Sequence, residues 1–252
     1  MNVQLFLGAL AYTASLLVCL PAASAKELTV GMGNFKPYYI ESESSGIFPD
    51  IVSAVFREMP GYEPKYVWAL SNNSLWASFE AGRLDAVSNL FDSVEIKACR
   101  TESLFRFRDV AVTRAGSDLQ LNRMEDLKNK RVVAFEGAKG FFGENFAQQL
   151  DPAAYEEVSK PELQAKMLWM QRYDVSVGDL YIFFETLKSL KLEGAQPSDF
   201  IVHNIFPSIS SRLGFRDEAL CAEFNAALKR VKASGEFEAI YSDYLEKLGY
   251  SQ

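Results

Sequence analysis

One histidine, His203, and three cysteines are the only imidazole and thiol groups in this 252-residue chain. A structural zinc site takes four such ligands at close spacing, so none is expected. The chain has no Lys/Arg-rich run, and its formal net charge is −7. Nothing in it would track the phosphates of a nucleic acid or an anionic membrane surface, and nucleic acid is excluded as a partner. G-x-S-x-G and H-E-x-x-H are missing. Gly31-Met32-Gly33 is only a fragment of a phosphate-binding G-x-G-x-x-G. No nucleophile, base and orienting group assemble from the sequence, and no cofactor is implied.

Residues 1–25 contain no Lys or Arg, yet "FLGALAYTASLLVCLPAASA" (6–25) is an apolar run that ends in small residues. Ala23 and Ala25 supply the A-x-A pattern of a cleaved secretory signal before Lys26. The missing positive n-region leaves a retained membrane anchor as the alternative. Cys19 follows Val18 rather than a small residue, which argues against a lipidated cysteine. Export would leave Cys99 and Cys221, either as a disulfide or as two buried thiols.

The rest of the chain, in a sequence that is 48% hydrophobic overall, can bury a sizeable core. "ELTVGMG", "KYVWAL" and "LDAVSNL" read as strands. They are separated by "FPDIVSAVFREM" and "SNNSLWASFEAG", whose apolar spacing and caps are helical. The pattern restarts at "DVAVTR" (109–114) and "EDLKNKRVVAF". Helices follow over "FFGENFAQQL", "PELQAKMLWM" and "LYIFFETLKSL", with a strand at "YDVSV". The chain closes with extended segments at 200–206 and 208–215 and an amphipathic helix ending at Gly235. An α/β architecture is expected, with mostly parallel sheets covered by helices. Asp85 and Asp174 hold matching places after Arg83 and Arg172, a local echo that predicts two similar lobes. Ligands of such sheets sit beyond the carboxyl ends of strands. Asp92 and Asp179 stand just past two of those ends. Asp179 is also a good helix cap for the segment it precedes.

Five segments in order resemble the polar-amino-acid-binding family (family 3) of periplasmic solute-binding proteins. They are "LTVGMGNFKPYY", "LWASFEAGRLDAV", "EDLKNKRVVAFEGAKG", "YDVSVGD" and "FNAALKRVKASGEFEAIYSDYL". The resemblance implies the type II bilobal fold: a signal peptide at 1–25, lobe one at 26–110 plus 208–252, and lobe two at 111–207. Hinge segments are then expected near Val110–Arg114 and His203–Ser208. It also implies a ligand set. Asp179 takes the position that grips an α-ammonium, and Phe35 the position of a stacked aromatic. The turn Gly137–Gly140 would offer N–H groups to an anion, with Lys139 as an added charge or a solvated surface lysine. Tyr38 and Asn89 join the set. The family's clamp arginine is missing: a gapless count puts Lys97 there, with Asp92 nearby and Arg100 as the rival. A lysine cannot reproduce a planar bidentate clamp.

The function implied is a periplasmic, monomeric protein that closes on a small polar, amine-containing, amino-acid-like solute. Its partner would be an ABC permease for uptake or a membrane receptor for sensing. The alternative from another class is a cyclohexadienyl dehydratase-like enzyme, which needs only a cleft acid and a shaped pocket.

Overall fold

The computed structural model describes residues 25–190 and 194–250. The signal-like segment lies outside the described residues up to Ser24.

β1 (Lys26–Gly31), α1 (Ile47–Arg57), β2 (Tyr62–Val67), α2 (Asn72–Glu80) and β3 (Ala86–Leu90) form one β-α-β-α-β run. β2 and β3 lie parallel to β1 on either side. Two short strands follow, β4 (Cys99–Arg100) and β5 (Phe105–Phe107). Both pair antiparallel with β11 (Ile209–Phe215), which returns late in the chain to lie against β3.

The second sheet holds β6 (Asp109–Arg114), β7 (Val132–Phe135), β8 (Tyr155–Val158), β9 (Val175–Asp179) and β10 (Phe200–His203), in the order β10-β6-β9-β7-β8. β8 and β9 flank β7 in parallel, while β6 and β10 run antiparallel to their neighbours. Its helices are α3 (Ala138–Phe142), α4 (Glu144–Ala147), α5 (Pro161–Trp169) and α6 (Leu180–Leu190). Helices α7 (Glu218–Ala233) and α8 (Glu236–Lys247) return to pack on α1. The molecule is therefore α/β, with two helix-flanked sheets joined by two crossings.

Local chemistry explains the element boundaries. α1 buries Ile47, Phe48, Ile51, Val52, Val55 and Phe56, the apolar stripe of a 3.6-residue period. Ser71 caps α2 by accepting from the Ser74 N–H, and Asp217 caps α7 by accepting from Ala219 and Leu220. The sequence echo has a structural cause. Asp85 accepts from the Thr29 N–H at 2.8 Å, and Asp174 from the Arg131 N–H at 2.9 Å. In each lobe the carboxylate ties the start of one strand to its parallel neighbour.

Three features differ from the sequence reading. "FFGENFAQQL" is not one helix, because Gly143 at φ 77° separates α3 from α4. β8 was not anticipated: its alternating half-buried residues, Tyr155 to Val158, look polar until β7 pairs with them. The first crossing lies between Phe107 and Asp109, ahead of Val110–Arg114. Val110 to Val112 are already ladder partners of Gly178 to Ser176 in the second sheet. The second crossing runs through 204–208, between β10 and β11.

Cys99 on β4 and Cys221 on α7 are joined by a disulfide, with Cα atoms 6.2 Å apart. No helix among the described residues is long and apolar enough to cross a membrane.

Candidate functional site

A cavity of about 330 Å³ lies between the lobes. Phe35, Phe91 and Phe107 line it from the first lobe. Phe135, Phe141, Ile182 and Phe183 line it from the second. Asn72, Gln164, Asp109 and Asp179 are its polar lining groups, and none of the described lining residues is Lys, Arg or His. A larger hollow of about 780 Å³ sits behind the crossings, between α6 and α8. Its Arg106 is held bidentately by Glu238, and Arg108 donates to Asn204. The smaller cavity is the candidate site, because it lies beyond the carboxyl ends of β7 and β9 and is walled by both lobes. Asp109 borders both hollows.

Asp179 ends β9 and is buried, with four hydrogen bonds from the chain itself. One oxygen, Oδ1, accepts from the N–H groups of Tyr181 (2.9 Å) and Ile182 (3.0 Å), which makes Asp179 the cap of α6. The other, Oδ2, accepts from the Tyr38 hydroxyl at 2.7 Å and the Arg108 N–H at 2.9 Å. Tyr38 is fully buried in the first lobe, so this bond joins the lobes at the floor of the cleft. Burial pushes the Asp179 carboxyl up to about 6, against the pull of those hydrogen bonds.

Asp109 faces it. The two residues are directly opposite in the antiparallel β6–β9 register, a like-charge pair. Asp109 is 6% exposed, and its Oδ2 is buried with no hydrogen-bond partner among the described residues. Burial, and then the neighbouring Asp179, push its pKa up to about 7. Sequence reading missed Asp109. The strand "DVAVTR" does announce it, as an acid that opens an otherwise apolar run.

The other expected site residues are distributed differently. Phe35 lines the cavity, edge-on to Tyr38 and Tyr39. Asn89 is buried beneath it, accepting from the Tyr39 hydroxyl and donating to Asn72 Oδ1. Asp92 is exposed and paired with Arg212 at 3.1 Å, away from the cavity lining. Lys97 is exposed and also outside that lining. Its rival Arg100 donates to the carbonyls of Phe91 and Val94, so its guanidinium braces the 91–94 turn.

The turn expected to hold an anion already holds one from the chain. Glu157 Oε2 accepts from the Gly137 N–H at 2.8 Å, and Oε1 from the Lys139 N–H at 3.0 Å. Burial works against ionising Glu157. The two backbone donors and the Tyr155 hydroxyl outweigh it and hold its pKa below the ordinary value. Lys139 lies with Nζ 4.5 Å from the Tyr155 ring centre. His203 is bound to Thr113 and to the Leu121 N–H within the second lobe. Among the described residues no cluster of His, Cys, Asp and Glu could hold a metal ion.

Tyr38→Phe is expected to cost about 1–2 kcal/mol, because it removes the buried donor to Asp179 without changing the packing of the ring. Urea unfolding at pH 7.5 measures this. An unchanged midpoint would mean the bond between the lobes carries no net stability.

The family model for bacterial extracellular solute-binding proteins, family 3, matches residues 28–247. Among solved structures the fold is similar to that of the probable amino-acid ABC transporter extracellular-binding protein ytmK from Bacillus subtilis. The TM-score is 0.69 at 17% identity, covering 88% of this chain and 99% of that one. It is similar to the ligand-binding core of GluR0 in complex with L-glutamate, with a TM-score of 0.67, 17% identity and coverage of 88% and 99%. It is also similar to a histidine kinase sensor domain with similarity to periplasmic binding proteins, with a TM-score of 0.63, 16% identity and coverage of 88% and 96%. The curated proteins include no significant match. With a family model spanning nearly all of the chain after residue 27, this protein belongs to the family 3 bacterial extracellular solute-binding proteins.

Proposed function

We propose that this is an exported binding protein whose lobes close on a small solute carrying a protonated amine, delivered to an ABC permease. The observation that carries the reading is the pair Asp109 and Asp179 in the wall of the cavity between the lobes. A buried, unpartnered carboxylate is costly, and a bound cation would relieve that cost. The extracellular family and the amino-acid transport relative support the same direction. A sensor role shares the cleft and differs only in the membrane partner; the kinase sensor neighbour supports that variant.

A thermal-shift screen of the mature protein against small amines, amino acids and neutral sugars tests the solute class. A ligand at about 100 times its dissociation constant should stabilise the fold by about 2.7 kcal/mol. Stabilisation by neutral sugars alone would defeat the proposal. Crosslinking in membranes then separates permease from receptor. Small-angle scattering should also change with a saturating ligand, since closure follows the ligand's preference for the closed state.

One observation favours an enzymatic reading. Asp109, with its pKa raised to about 7 in an aromatic pocket, has the properties of a general acid. Its cleft, however, presents two carboxylates to a substrate, which suits a cation better than the dianion prephenate. Release of phenylpyruvate from prephenate would reverse that preference.

A further inference from the structure

We infer that the cavity is built for an organic ammonium with an apolar, ring-sized body and no carboxylate, its nitrogen held by Asp109. The inference rests on the reading of this cavity as the solute site.

Three independent features of the cavity lead there. The first is the wall. Six phenylalanines line it: Phe35, Phe91, Phe107, Phe135, Phe141 and Phe183. They offer an apolar enclosure, and their ring faces attract cations.

The second is the distribution of hydrogen-bonding capacity. Asp179 already accepts four bonds from Tyr38, Arg108, Tyr181 and Ile182. It has little left to give a ligand. Asp109 lines the cavity, and its buried Oδ2 accepts none among the described residues, so the nitrogen should pair with this carboxylate.

The third is what a ligand carboxylate would find. Among the described lining residues the only side-chain N–H donors are the neutral amides of Asn72 and Gln164. Arg100 is spent on its own turn, and Lys97 lies outside. The backbone donors of Gly137 and Lys139 are already taken by Glu157. A ligand carboxylate would enter beside two carboxylates with no cation to offset them. An amino acid would thus lose at its carboxylate much of what it gained at its ammonium.

The test compares three probes with one ring and a short side chain: phenethylamine, L-phenylalanine and 3-phenylpropionate. Each is titrated calorimetrically into the mature protein at pH 8. Phenethylamine should bind at least tenfold more tightly than L-phenylalanine, and 3-phenylpropionate should not bind. Asp109→Asn should weaken phenethylamine at least tenfold, with circular dichroism confirming that the variant is folded. Asp92→Asn, outside the cavity, should leave its affinity unchanged. If L-phenylalanine binds as tightly as phenethylamine, the carboxylate-free assignment falls while the cavity's role as the solute site stands. If Asp109→Asn binds phenethylamine normally, the assignment of the nitrogen to Asp109 falls. If none of the three probes binds while another amine stabilises the protein in the thermal-shift screen, the ring-bearing class falls and the proposed function stands.

Discussion

Asp109→Asn is expected to make the unliganded protein more stable at pH 8 while abolishing most amine binding. A residue that serves only the fold would not behave this way. The carboxyl titrates near 7 in the folded protein instead of near 3.8, because burial and the facing Asp179 disfavour its charge. Each unit of such a shift corresponds to about 1.36 kcal/mol. The ionised form therefore destabilises the fold by up to about 4 kcal/mol. The asparagine keeps the shape and removes the charge, but it leaves a buried amide without a partner, at about 1–3 kcal/mol. The net gain should be about 1–3 kcal/mol, or roughly 2–4 °C in midpoint per kcal/mol for a chain of this size.

The sign with pH follows from linkage. A raised carboxyl pKa means that the folded state holds its proton more tightly than the unfolded chain. The wild-type stability contributed by this group is complete below about pH 3.8 and is lost as pH rises through about 7. The variant's advantage should therefore grow between about pH 4 and pH 7, be complete above pH 7, and give way near pH 4 to the cost of the buried amide. Asp179 on β9 faces Asp109, and Tyr181, Arg106, Arg108, Glu238, Tyr241, Glu246 and Tyr250 line the larger hollow that it borders. Of these, Asp179 titrates in the same window, at about 6, and will broaden the transition. Chemical denaturation of both proteins from pH 4.5 to 8.5 measures the effect. Parallel curves would show that Asp109 does not titrate as its burial dictates.

Loss of the Cys99–Cys221 disulfide should be the largest single destabilisation available in the first lobe. The bridge spans a sequence separation of 122 residues. In the chain-entropy model, closing a loop of that length restrains the unfolded chain by about 4–5 kcal/mol. The loop includes the whole second lobe, so reduction removes the covalent tie between α7 and β4 and leaves the second sheet's pairing intact. Cys99→Ala with Cys221→Ala, compared with wild type in urea with and without reductant, isolates the effect. Two alkylatable thiols in the mature, unreduced protein would show that the bridge is absent.

Sequence alone determined what local periodicity records. The β-α-β runs, the apolar face of α1, the cap at Ser71 and the matched places of Asp85 and Asp174 were all readable. Each depends on neighbours within a turn or a strand. Asp179 at the start of α6 was readable for the same reason. The chemistry of the cleft was decided by pairings far apart in the chain. β6 runs antiparallel to β9, and only that register sets Asp109 against Asp179. β8 runs parallel to β7, and only that neighbour brings Glu157 to the N–H groups of Gly137 and Lys139. Tyr38 reaches Asp179 across 141 positions, from one lobe to the other. Burial patterns show which residues leave water, whereas the partner each one meets depends on which strands pack side by side. That choice belongs to the long-range packing of the whole chain, so neither the place of Asp109 in the cavity nor the hydrogen-bond partners of the expected residues could be read from sequence.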